Sequence, residues 1–274
     1  MSRKLVAADL AAAEVRIFAH FSGDIRLQSV FTKGEDIYSR VAIDVFNRPE
    51  FSANPNDPNF LKKVAPSLRE DSKVFTLKIP YGAEGFQVAA GLNLLDDQGK
   101  PDSRQGDKLI DKYLSTYPNL RKYMIKQELM FKKHGYVKNM FGRIRRFDEA
   151  HALYKKYGDK LIDSQWAKRN GLALERKIVK KALNAAKNHP IQSTNASLMN
   201  RAMIEMGMWI EESGVDCNIL LQVHDELVYD CDESITPLIM DKVKYFMENN
   251  KYAKMLSVPL VTTPIVADDL AEAK

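Results

Sequence analysis

Apolar and polar positions change their spacing several times along the chain. Near the N-terminus, Lys4-Leu5-Val6-Ala7-Ala8 is a short, mainly apolar run that ends on Asp9, which predicts a strand delivering a carboxylate at its C-terminal end. The next stretch, LAAAEVRIFAHF, has helix-forming composition and stops at Ser22-Gly23. Residues 47–60, NRPEFSANPNDPNF, are dense in Pro, Asn and Asp and predict a loop. The spacing is helical from about Ser67 to Leu77, after which Pro80, Gly82 and Gly85 end or bend it. Long helical segments follow around 106–134, 161–188 and 191–212. The last sixty or so residues read as a β-hairpin, a helix (TPLIMDKVKYFMENN) and a final strand (SVPLVTTPIV). Together these elements predict an α+β fold, with helices in the middle and a small antiparallel sheet that gathers both chain ends.

Within the hairpin, LLQVHDELVYD places Asp225 and Glu226 side by side between two runs that read as buried strands. A buried, unpaired charge is penalised by several kcal/mol or more, so the pair sits at a solvated turn or waits for a cation. If the hairpin and the N-terminal strand share a sheet, Asp9 and Asp225 converge on one edge. That arrangement suits a pair of hard divalent ions, which take a few carboxylate oxygens plus water and substrate phosphates. Plainer readings exist for each residue alone: Asp9 as a helix N-cap, and His224-Asp225-Glu226 as a polar turn.

A second group lies in SLREDSKVFTLKIPYG, where Arg69, Lys73, Leu77 and Tyr81 fall at four-residue steps. On a helix they share one slowly drifting face, with two cations followed by an apolar residue and an aromatic. Such a face can take a triphosphate at one end and a base at the other, and an ordinary amphipathic helix would show the same spacing.

Charge sharpens the picture. The formal net charge is only +5, but residues 121–187 hold 19 Lys and Arg against 6 Asp and Glu, whereas residues 211–274 hold 5 against 13. A basic middle beside an acidic end favours a polyanion such as nucleic acid over solvated helix faces alone. With 45% hydrophobic residues the chain can bury a core. It has no apolar run near the roughly 20 residues that span a bilayer and no signal-peptide pattern, so a soluble, cytoplasmic protein without a membrane partner is expected. Cys217 and Cys231 form no metal or redox spacing.

In order and spacing, DLAAAEVRIFAHFSGD, REDSKVFTLKIPYG and VHDE resemble motifs A, B and C of the family-A DNA polymerases, the bacterial DNA polymerase I and phage replicative type. GEDIYSRVA, YPNLRKYM, HGYVKNMFGRIRRF, NHPIQSTNASLMNRAMIEM and the final VPLV agree as well, so the likeness runs from about residue 5 to 262. The resemblance implies a right-hand polymerase palm with a mainly helical fingers subdomain. Palm would occupy residues 1–24 and 166–274, with the motif C hairpin at 217–230, and fingers 25–165, with the motif B helix at 67–82.

It also implies roles for individual residues. Asp9 and Asp225 would hold two magnesium ions, with Glu226 an auxiliary catalytic acid. Arg69 and Lys73 would meet the incoming triphosphate, with Lys73 also a proton donor to pyrophosphate. Tyr81 would sit by the nascent base pair, and Glu14 would exclude ribonucleotides by crowding the sugar 2′ position. Asn188 and Gln192 would face the primer-template, while Arg16, His224 and the basic stretch through Arg143, Arg145 and Arg146 are further DNA-binding candidates.

The implied activity is template-directed DNA synthesis from dNTPs on primer-template DNA. Alternatives are a non-catalytic nucleic-acid-binding remnant and a single-subunit RNA polymerase, against which Glu14 argues. Three positions depart from the family pattern: Leu77 stands where a Phe or Tyr is usual, Pro80 directly precedes Tyr81, and Ala11-Ala12 replace Ser-Gln. Because the sequence starts just before motif A, the resemblance leaves thumb, exonuclease and upstream palm unaccounted for. The expectation is a split polymerase, phage-encoded and working in the host cytoplasm, whose thumb and exonuclease lie on a separate polypeptide.

Overall fold

A computed structural model describes residues 2–273. In chain order the elements are β1 (Arg3–Asp9), α1 (Ala13–Ser22), α2 (Ile25–Thr32), α3 (Ile37–Asp44), α4 (Leu61–Val64), α5 (Pro66–Lys78), α6 (Gly85–Gly91), α7 (Ser103–Thr116) and α8 (Pro118–His134). These are followed by β2 (Tyr136–Lys138), β3 (Ile144–Arg146), α9 (Asp148–Tyr157), α10 (Ser164–Arg169), α11 (Ala173–Ser213), β4 (Cys217–Val223), β5 (Glu226–Asp232), α12 (Thr236–Asn249) and β6 (Ile265–Ala267). The architecture is α+β. No helix among the described residues is long and apolar enough to cross a membrane.

The chain forms two compact units, Met1–His20 with Gln192–Lys274, and Phe21–Ile191. The divisions fall at 20/21 and 191/192, and residues 166–191 cluster with the helical unit.

The first unit is built on a four-stranded antiparallel sheet in the order β4-β5-β1-β6, in which strands from opposite ends of the chain are neighbours. Val6, Ala7 and Ala8 of β1 and Leu227, Val228 and Tyr229 of β5 are buried. Ile239, Val243 and Met247 of α12 are buried at i, i+4 and i+8, the stripe expected of a helix packed on a core. The hairpin strands differ from each other. β5 is buried as expected, but β4 is the edge strand, and Leu220, Leu221 and Val223 are exposed. An edge strand lacks a neighbour on one side, so its apolar sequence alone does not secure burial.

The second unit is helical apart from the β2-β3 ribbon. Its helix starts follow from local chemistry: Asp24, Asp36, Asp102 and Asp163 cap α2, α3, α7 and α10 through side-chain oxygens. Each such cap is worth about 1 kcal/mol. Proline opens α5 and α8, and Gly135, at φ +70°, closes α8 in the left-handed region. The helical stretch 106–134 is therefore two helices, broken at Tyr117-Pro118. Phe131, Val137, Leu161, Val179 and Leu183 anchor one of its cores.

α11 corrects an expectation. The segments 161–188 and 191–212 were expected as separate helices, yet Ala173–Ser213 is one helix of 41 residues with Pro190 inside it. Proline removes a single backbone donor, and a helix this long retains the rest of its ladder. The final strand is also shorter and later than its apolar pattern suggests: Thr262 forms only a bridge to Leu10, and the strand itself is Ile265–Ala267.

Candidate active site

In the first unit, β1 pairs with β5 in a register that sets Asp9 opposite Glu226, the last pair of the ladder. The hairpin turn is made by His224 and Asp225, with His224 at φ +55°. Histidine tolerates the left-handed region better than most residues. The Leu10 amide donates to the Asp225 carbonyl at 3.2 Å, so the residue after the first acid is tied to the second. Partial burial pushes the Asp9 carboxyl up to about 6, with further upward contributions from the charges of Asp225 and Glu226.

This is an excess of negative charge with one edge open to solvent, the environment a divalent cation would neutralise. Among the described residues, no three His, Cys, Asp or Glu side chains form a ready metal cage. The donor set fits ions that complete their coordination with water and substrate oxygens.

The turn beyond Asp9 is held from several sides. Ala12 has φ +53°, the Ala11 amide donates to the Val261 carbonyl at 2.9 Å, and Thr262 Oγ1 donates to the Asp9 carbonyl. Arg16 is 8% exposed; its Nε donates to the Ala11 carbonyl at 2.7 Å and its Nη1 to the Pro259 carbonyl at 2.6 Å. Arg16 thus fastens the turn internally. Glu14 lies in the first turn of α1, half-buried, and His224 is exposed.

In the second unit, α5 ends at Lys78, so it carries Arg69, Lys73 and Leu77 but not Tyr81. The expected helix of 67–82 is shortened because proline at position 80 lacks the amide donor and restricts the residue before it. Tyr81 sits in a turn, its amide donating to the Lys78 carbonyl at 3.1 Å, and its side chain is exposed. Gly82, at φ +76°, then passes close to Asn184 of α11, and Glu84 at the start of α6 pairs with Lys180. Lys73 is half-exposed and has a 3.3 Å ion pair with Glu70 one turn earlier. Arg69 grips Asp36 through two parallel hydrogen bonds, Nε at 2.9 Å and Nη2 at 2.8 Å.

A basic surface belongs to the same unit. Arg143, Arg145 and Arg146 lie exposed on and beside β3. His189 of α11 was not singled out by sequence reasoning, since a lone histidine before a proline carries no spacing signal. Burial lowers its pKa, and the charges of Arg145 and Arg143 lower it further. Its Nε2, and the Oδ1 of the adjacent buried Asn188, are buried without a hydrogen-bond partner. Gln192, four residues after Asn188 on α11, is exposed.

The family model for DNA polymerase family A matches residues 1–272. DNA polymerase I of Pseudomonas aeruginosa is 29% identical over 270 residues, which is 98% of this chain and 25% of that protein. The thermostable DNA polymerase I of Thermus aquaticus is 28% identical, over 98% of this chain and 27% of its own length. The chain thus spans about a quarter of the length of these curated relatives. Among solved structures, the POL domain of Pol1 from M. smegmatis, in complex with DNA primer-template and dNTP, superposes with a TM-score of 0.77 at 28% identity. That match covers 98% of this chain and 40% of the other. Its helices and small antiparallel sheet are those of a polymerase palm and fingers, and the chain belongs to DNA polymerase family A.

Proposed function

We propose that the chain catalyses template-directed 5′–3′ DNA synthesis, transferring a deoxynucleotide from a dNTP to a primer 3′-hydroxyl. The observation that carries this reading is the meeting of Asp9 and Asp225 at the end of the β1-β5 ladder, with Glu226 beside them. The unit Met1–His20 with Gln192–Lys274 acts as palm, and Phe21–Ile191 as fingers. Asp9 and Asp225 would hold two magnesium ions, which when bound activate the attacking hydroxyl and neutralise charge on the leaving oxygen. Glu226 adds negative charge to the same edge.

Arg69 and Lys73 bind the triphosphate. The ion pair of Lys73 with Glu70 is solvent-exposed and therefore weak, so the ammonium is free to turn to phosphate and to donate a proton to pyrophosphate. Leu77 and Tyr81 line the nucleotide, and Glu14 crowds the sugar 2′ position. The exposed Arg143, Arg145 and Arg146, together with Asn188, Gln192 and His224, contact the primer-template. Exposed apolar side chains on the edge strand β4 support the further reading that a second, thumb-bearing polypeptide works with this one.

The test is primer extension with magnesium and all four deoxynucleotides, using Asp225→Ala as control. Extension that the variant loses while still binding DNA is the expected result. Equal extension by the variant would remove Asp225 from the metal site. Folded, DNA-binding protein that extends nothing would point to the second polypeptide.

A further inference from the structure

Arg69 is the most constrained cation of α5, and its partner Asp36 comes from 33 residues earlier in the chain. Asp36 is the N-cap of α3, and its Oδ2 accepts the Ser39 amide at 2.9 Å and the Ser39 hydroxyl at 2.6 Å. The same Oδ2 takes Arg69 Nε, while Oδ1 takes Nη2, completing a planar fork. The arginine carbon lies 5.1 Å from the centre of the Tyr38 ring, two residues beyond the cap. Burial alone would raise the Asp36 carboxyl, but the hydrogen bonds from Arg69 and Ser39 outweigh it and hold the pKa below the usual value. Both partners are largely buried, and Nη1 has no acceptor among the described residues.

From this geometry we infer that Asp36 is a positioning residue for nucleotide binding: it locks Arg69 against Tyr38 so that the Nη1 edge is presented to the triphosphate. The inference rests on the proposed role of Arg69. An arginine on an exposed helix face loses rotamer freedom when it meets a phosphate, whereas the fork imposes that order in the folded protein beforehand. The start of α3 thus supplies the carboxylate and the ring that fix one side chain of α5.

The test is calorimetric titration of the complete chain with dATP and magnesium, for wild type, Asp36→Asn, Asp36→Ser, Arg69→Ala and the Asp36→Asn/Arg69→Ala double variant. Asn and Ser are both good N-caps, so α3 keeps its start while the fork is lost. Both Asp36 variants should bind dATP about tenfold more weakly, as expected if the competent Arg69 rotamer falls to about a tenth of the population. Once Arg69 is alanine, Asp36→Asn should have no further effect.

Binding by the Asp36 variants that matches or exceeds wild type, with Arg69→Ala weakened, would overturn the inference and leave the role of Arg69 standing. A loss that persists in the Arg69→Ala background would also overturn it, because the effect would then be general to the fold. Wild-type affinity in Arg69→Ala, or no dATP binding by wild type, would overturn the role of Arg69 and this inference with it.

Discussion

The Thr262 hydroxyl donates to the backbone carbonyl of Asp9 at 2.6 Å, joining residues 253 positions apart. Thr262 is 1% exposed, and its amide donates in turn to Glu248 Oε1 at 2.9 Å. The end of β1 is therefore set by a side chain outside the β1-β5 ladder. Thr262→Val keeps the shape and removes the donor, leaving the part-buried Asp9 carbonyl short of a partner. A loss of about 1–3 kcal/mol is expected in chemical denaturation, by the usual penalty for such a group. Primer extension should fall further than the lost stability alone explains, because the Asp9 turn loosens.

Packing of α6 on α7 yields a second prediction. A Cβ on Gly106 would lie 2.0 Å from the Gly85 carbonyl oxygen, and a Cβ on Gly85 would lie 2.2 Å from the Ser103 carbonyl oxygen. These are backbone atoms, which no rotamer change can move aside. Gly106→Ala should destabilise the helical unit by about 1–3 kcal/mol or more, the cost of overpacking, although alanine is the better helix former. A melting temperature at or above wild type would show that the two helices do not approach so closely.

Much of the carboxylate site was legible because strand periodicity is local. A short apolar run ending on Asp9, and a hairpin with an acid at its turn, can both be read within a dozen residues, and the sheet needed only one pairing to join them. The Arg69-Asp36 fork was not legible: Arg69 read as a cation for a triphosphate, Asp36 carried no signal of its own, and only the packing of α3 against α5 brings them together. Arg16 was misleading for a related reason. Its place in a motif suggested a DNA contact, while the carbonyls that take its N–H groups, Ala11 and Pro259, carry no side-chain signature. At α11, a general rule about proline gave way to the length of the helix around it. The exposed face of β4 reflects its position at the sheet edge, which its own sequence does not encode.

The Asp9 carboxyl supplies a pH signature. Its pKa is about 6 in the folded protein against an ordinary value of 3.8, so between these values the folded state holds more proton at this site than the unfolded state. Stability contributed by this group is present below about pH 4 and falls as pH rises to about 6, with no further change above. Denaturation in the presence of a chelator should show that loss, and Asp9→Asn should flatten it. Asp225→Asn should reduce it partly, because burial remains when one neighbouring charge is gone. Added magnesium should stabilise the protein more at pH 8 than at pH 5, since the cation competes with the proton.

Two arginines of the basic inventory should separate cleanly in solution. Arg16 is internal and donates to two carbonyls, whereas Arg145 is exposed and stands over the Phe147 ring at 5.3 Å. If Arg145 meets a DNA phosphate, Arg145→Ala should weaken primer-template binding and reduce the slope of log K against log salt by about 1. Arg16→Gln removes the charge and the planar fork, yet it should leave that slope unchanged, because the Arg16 guanidinium donates to carbonyls inside the protein. Its effect should instead be a slower maximal extension rate, by about tenfold if the Asp9 turn loses roughly 1.4 kcal/mol of transition-state stabilisation. A changed salt slope in Arg16→Gln, with an unchanged extension rate, would return Arg16 to the DNA surface and leave the Asp9 turn to Thr262 and the backbone bonds alone.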